Sequence, residues 1–261
     1  MLSTGGFSSY HSLQVRAEHR FSRGWQLLNS FTWSKAMDNG AGSLENPFGN
    51  FPAPQDFYNR RADKGRSTYD QPFTNITSFV WDLPFGKSRK YLSTASAITD
   101  AFFGGWQVSG INNMLSGPTV TLIYSPAAAF VVSGITADFR GANNYRPNVL
   151  GDPKVPDGQR TVSNYLDRTR LALPTASSPS PFGNAGRNIV RADSLYQFDC
   201  SLAKHFIFTE RVRLQLRGEA FNLLNKTNLR PPDRNFNNAS FGTVSAANDA
   251  RQLQIGLKLC F

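Results

Sequence analysis

No stretch of this chain stays apolar for long. The most apolar part, residues 120–135, is broken by Tyr124, Ser125, Pro126 and Ser133, whereas a membrane-spanning helix needs roughly 18 apolar residues in a row. Mean hydropathy is −0.36, so a helical membrane protein is excluded. Cysteine is scarce, with Cys200 and Cys260 alone. No CxxC pair or Cys/His cluster offers metal-ligand spacing, and no metal or cofactor is expected. The two thiols could pair only from strands lying side by side, and free thiols are the expectation. Histidine is also rare: His11, His19 and His205. His205 and Asp199 share a polar strand face, which reads as two neighbours lining water rather than as catalytic machinery, and no enzyme is expected. Residues 183–187 are glycine-rich, but no helix follows to hold a phosphate. The opening residues have no basic segment leading into an apolar one, so no signal peptide is expected.

Acids are fewer than bases, 18 against 28, for a net charge of +10. The Lys and Arg residues are scattered, many alternating with apolar residues. Nucleic-acid binding would gather them on one element, so a nucleic-acid partner is not expected. What is plentiful is aromatic: 13% of the chain, including 21 Phe. With 21 Gly and 15 Pro, that composition favours a β-rich, loop-rich chain.

Period-2 alternation then appears in seven places, and this period marks strands whose two faces meet different surroundings. Residues 10–21 set Leu13, Val15, Ala17 and Phe21 against Gln14, Arg16, Glu18 and Arg20. Residues 25–36 return after the turn at Ser22, Arg23 and Gly24, with Trp25, Leu27, Phe31 and Trp33 on one side. Residues 73–83, 106–116, 196–206 and 212–224 follow, the second of these weakened by Ile111 and Leu115. Residues 251–261 close the series, with Leu253, Ile255, Leu257, Leu259 and Phe261 opposite Gln254, Gly256, Lys258 and Cys260. A last strand ending on an aromatic residue resembles the ending of outer-membrane β-barrel proteins, which implies that these five residues are an assembly signal read by the insertion machinery.

Each segment is close to the roughly 9–11 residues that cross a bilayer at a tilt. The connections are short, long, intermediate, long, short, long, with long loops at 38–71, 117–195 and 225–250. That approximates the asymmetry of transmembrane barrels, except that the connection 84–105 is longer than its side calls for. The parity gathers Phe21, Trp25, Trp81, Trp106 and Phe206 at one rim. Tyr10, Trp33, Phe73, Tyr196 and Phe221 gather at the other, giving two expected aromatic girdles. A charge facing lipid at mid-membrane costs about 2–4 kcal/mol. The polar faces, carrying Arg16, Glu18, Arg20, Asp199, Arg213, Arg217 and Lys258, must therefore line water or a plugged lumen. The apolar faces must meet lipid or a second sheet. A soluble sandwich or lipocalin-like barrel explains the alternation, but not the strand length or the loop asymmetry.

Seven phrases carry a resemblance. They are Tyr10-His11-Ser12-Leu13-Gln14-Val15; Phe31-Thr32-Trp33-Ser34-Lys35 with Asp38-Asn39; Leu83-Pro84-Phe85-Gly86-Lys87; Gly104-Gly105-Trp106-Gln107-Val108-Ser109-Gly110; Phe182-Gly183-Asn184-Ala185-Gly186-Arg187-Asn188; Glu219-Ala220-Phe221-Asn222-Leu223-Leu224-Asn225; and Phe241-Gly242. In this order the chain resembles the carboxy-terminal barrel part of TonB-dependent outer-membrane receptors. The Oar-like group, which carries a carboxypeptidase-regulatory-like domain, is nearest.

The resemblance implies an all-β fold, an antiparallel transmembrane β-barrel segment with long extracellular loops. Residues 1–261 would form the back of such a barrel, the plug and the amino-terminal strands being absent. Its implied setting is the outer membrane, its partners the membrane lipid and the insertion machinery. The TonB complex would be reached only through the missing plug. The implied role is uptake or export of a ligand; the rival expectation is a β-rich binding protein without transport. About seven strands cannot close a bacterial barrel, so the chain reads as a fragment. The loop 38–71, mixing Asn, Phe, Tyr, Arg and Asp, suits polar ligands or serves only to pack against its neighbours.

Overall fold

The computed structural model describes residues 6–21, 24–40, 55–56, 59–87, 89–125, 145–175, 182–209 and 211–261. Parts of the loop 38–71 and of the stretch 120–135 lie outside them. Alternation becomes seven long strands: β1 (Ser8–Phe21), β2 (Trp25–Asp38), β3 (Phe73–Asp82), β4 (Trp106–Leu115), β5 (Leu195–Ile207), β6 (Arg213–Phe221) and β7 (Gln252–Cys260). They pair in chain order, every neighbour antiparallel. Among the described residues β1 and β7 pair on one side only, so the sheet is not closed. The short strand Gly65–Arg66 extends it beyond the end of β2.

One end of the sheet carries two short connections and the longer one at 84–105, and the other carries the three long loops. At the turn end, Thr209 closes the β5–β6 turn by accepting from the Val212 amide at 2.9 Å. The sixth strand stops at Phe221 rather than at residue 224. Asn222 adopts a left-handed φ of 50° and Asn225 one of 51°, and asparagine tolerates that region better than other side chains. Asn222 then bridges its turn, accepting from the Lys226 amide and donating to the carbonyls of Lys226 and Asp249.

The long connection 84–105 at the turn end contains a short helix, α1 (Ala97–Phe103), which the alternation does not show. Ser96 caps it, accepting from the Thr99 amide at 3.2 Å. Its Ile98, Phe102 and Phe103 are exposed. A Cβ on Gly86 would stand 2.6 Å from the Gly104 backbone, so two of the seven phrases meet at a place where only glycine fits.

The hydrophobic core lies outside the long strands. Val120, Leu122, Tyr165, Leu166, Leu171, Val190, Ala192, Phe241 and Val244 cluster together, all of them from the loops 116–194 and 222–251. A one-layer sheet bathed on both faces buries little of itself, whereas loops of such length can enclose their own apolar side chains.

Candidate functional site

Register fixes which residues share a face. Arg16, Glu18 and Arg20 stand on one side of β1, and Glu18 receives both guanidinium groups at 3.1 and 3.2 Å. Across β5, β6 and β7, Ser201, Glu219 and Gln254 align, as do His205, Gln215 and Lys258. Arg217 reaches Glu219 at 3.4 Å, and Gln254 donates to Glu219 at 3.3 Å. Asp199 accepts the Asn222 amide at 2.7 Å and the Gln197 side chain at 3.0 Å, so it anchors the turn after β6. Arg213 is the first residue of β6, opposite Ile207 and the backbone of Cys260. The polar candidates thus form one continuous face, with Arg16, Glu18 and Arg20 four strands away from the rest. His205 contacts Gln215 at 3.4 Å rather than Asp199. Cys200 is free, and β6 separates its strand from that of Cys260.

The opposite face is apolar and uncovered. Leu253, Ile255, Leu257 and Leu259 oppose Ala220, Gly218, Leu216 and Leu214, and with Phe261 they are all exposed. Phe79 and Phe198 lie 6.5 Å apart, nearly parallel, with the Phe79 ring over Gly110. The girdle expectation needs correction at two residues. Trp33, Phe73 and Tyr196 are on the apolar face at the loop end. Tyr10 pairs with Ala36 and Phe221 with Gln252, which places both on the polar face. One extra residue between an aromatic and its neighbours reverses its side, because the strand period is two. At the turn end Lys204 is also on the apolar face, donating to the Gly104 carbonyl with its ammonium 5.6 Å from the centre of the Trp106 ring.

A polar belt crosses the middle of the apolar face, where Asn29, Thr77 and Asn112 are register partners. Asn29 donates to both Asn75 and Thr77 at 2.7 Å. Asn112 Oδ1 is buried with no partner. The alternation alone does not draw these residues together.

The loops form a body locked by buried ion pairs. Arg146 meets Asp63 at 2.7 Å, with side chains only 3% and 4% exposed. Arg187 binds Asp38 and also donates to its carbonyl at 3.0 Å. Arg191 binds Asp70, whose other oxygen accepts the Ala36 amide at 2.7 Å. Burial raises the Asp63 carboxyl above its ordinary range, opposed by Arg146, and lowers Arg146, opposed by Asp63. Burial likewise lowers Arg187. It pushes the Tyr165 hydroxyl, which donates to Asp193 at 2.9 Å, up to about 12. Gln55 ties the same body together, donating to the Gly183 carbonyl and accepting from the Arg146 amide. The sequence reading missed these loop residues, because isolated Asp and Arg in loops carry no periodic signal.

Where the loop end meets β1 and β2 there is a cavity of about 460 Å³. Leu13, Trp33 and Pro72 line it, together with His11, Lys35 and Arg66. A second, of about 510 Å³, lies among Asp152, Lys154, Arg160 and Arg170, where Arg160 and Arg170 are already paired with Asp157 and Asp167.

The model of a family described as an outer membrane beta barrel domain matches residues 1–254. No curated protein and no solved structure matches the chain.

Proposed function

The chain belongs to the outer membrane β-barrel domain family and resides in the outer membrane; from that premise we propose that it forms the carboxy-terminal part of a TonB-dependent, Oar-like receptor that moves a ligand across that membrane. The carrying observation is where the seven phrases fall. Five of them occupy the strand pairs, the turn-end connection 84–105 and the left-handed asparagine turn, while Phe182–Asn188 and Phe241-Gly242 lie in the loop body, where Arg187 binds Asp38 and Phe241 joins the apolar cluster.

In this reading the apolar face meets lipid, the polar face lines the lumen, and the long loops stand outside the cell. The chain binds and conducts rather than catalyses. Its partners are the membrane lipid, the insertion machinery and, through a plug, the TonB complex. Because seven antiparallel strands leave β1 and β7 running in the same direction, antiparallel closure calls for an odd number of further strands. Two copies of this sheet alone would meet in parallel and would not satisfy the barrel pattern.

The test is capture on the immobilised periplasmic domain of TonB, using the product translated together with the coding sequence that precedes this chain. Retention of that product, with loss of retention for residues 1–261 alone, is the expected result. Failure of the longer product to bind would leave the rival reading, a barrel that binds without transport.

A further inference from the structure

We propose that the cavity at the loop end of β1 and β2 holds the phosphate of a membrane lipid in the outer leaflet. This rests on the orientation proposed above. His11 and Lys35 are direct cross-strand partners, and Arg66 is the partner of Met37 on the same side of the sheet. All three therefore sit on the apolar, lipid-facing side, His11 and Lys35 one step and Arg66 two steps beyond the row Leu13, Trp33 and Phe73. Among the described residues their side chains make no ion pair, although ten such pairs form elsewhere, several of them buried. Asp70, the carboxylate among the described lining residues, is already engaged, Arg191 and the Ala36 amide occupying its two oxygens. Among the described residues the cavity thus presents positive charge without a free carboxylate, over apolar walls.

That combination selects an amphiphilic anion. Guanidinium and ammonium groups are phosphate binders, and aromatic residues settle at the level of lipid headgroups. The exposed rings and aliphatic side chains of Trp33, Leu13 and Val15 continue from the cavity toward mid-sheet, where an acyl chain would run. A soluble phosphate would gain nothing from that apolar path.

The full 261-residue chain, held in dodecyl maltoside, is titrated calorimetrically with dihexanoyl phosphatidic acid, with dihexanoylglycerol and with inorganic phosphate. Phosphatidic acid is expected to bind at least tenfold tighter than either of the others. The double variant Lys35→Gln/Arg66→Gln is expected to lose about tenfold, and Lys226→Gln, in an exposed turn elsewhere at the loop end, to lose nothing. If the double variant does not refold, Lys35→Gln alone is expected to lose about threefold. Equal binding of dihexanoylglycerol, equal binding of phosphate, or an unchanged affinity in the Lys35 variants would each overturn the site. The orientation fails separately. If Leu150→Cys, in a chain carrying Cys200→Ser and Cys260→Ser, reacts with an impermeant maleimide only after the outer membrane is opened, the loops face inward, and the micelle titration is unaffected.

Discussion

Arg146 and Asp63 face each other at 2.7 Å inside the loop body, joined from segments 83 residues apart. The Arg146 guanidinium also donates to the Ala62 carbonyl at 3.0 Å, so one arginine holds the turn at residues 60–63 against the start of the 145–175 segment. Replacing a buried pair by apolar groups is often neutral, but removing one partner strands the other charge at about 3–5 kcal/mol.

Asp63→Ala is therefore expected to destabilise the loop body by about 3–5 kcal/mol. Limited proteolysis should find new cleavage sites in 59–72 and 145–175, while the strands stay protected. Asp63→Leu with Arg146→Met is expected to recover most of the loss. Equal protease resistance in Asp63→Ala and the parent would contradict the role given to this pair.

Gly110 is roofed by an aromatic ring. A Cβ there would stand 2.7 Å from Phe79 and 3.1 Å from the Asp199 carbonyl. Gly110→Ala is expected to cost about 1–3 kcal/mol through overpacking. Phe79→Ala in the same chain should reduce that cost, because touching sites are not additive. Thermal unfolding of the four proteins in a double-mutant cycle measures the coupling, and a coupling of zero would remove the ring from the explanation.

The two faces of β7 are expected to differ in their tolerance of charge. Leu257→Arg is expected to lower folding stability in lipid vesicles by about 2–4 kcal/mol. Gln254→Arg, beside Glu219 on the other face, is expected to change it little. Comparable losses from both substitutions would mean that the Leu face is not in hydrocarbon.

Asp233 organises the turn around residues 233–243. Its own burial raises the carboxyl, but donors outweigh that: Ser240 at 2.6 Å, the Asn235 amide at 3.0 Å and Asn238 at 2.8 Å. The folded carboxyl therefore titrates below its ordinary 3.8. A lowered folded value stabilises above the unfolded value, and that contribution disappears as pH falls through the folded one. Hydrogen exchange of the Thr243 amide should accelerate, relative to reference loop amides, as pH drops below about 4. Asp233→Asn should flatten that dependence; an unchanged profile in the variant would assign it to another group.

The long strands were readable from alternation because a residue's face in a strand depends only on its parity. Leu253 to Leu259, Arg213 to Arg217 and the Trp33–Phe73 row follow that rule without help from neighbours. The same rule places Tyr10 with Arg16 and Phe221 with Glu219 on the polar face, so a position at the rim does not by itself put an aromatic ring in the girdle. Helix α1 escaped notice because seven residues span barely two turns, too few for a 3.6-residue period to show. The cavity beside His11, Lys35 and Arg66 was equally invisible, since Arg66 joins β2 through a two-residue strand without a pattern of its own.

By itself the sequence determined where the chain extends, where it turns and which side of each strand is polar, because those are local properties set by side-chain parity and by glycine and asparagine in left-handed turns. Tertiary structure alone decided which loop acid meets which loop base, where the apolar cluster of the loops closes, and that Asn29, Thr77 and Asn112 line up across three strands. Those pairings depend on distances between segments far apart in the chain, and no local pattern encodes a distance that only folding sets.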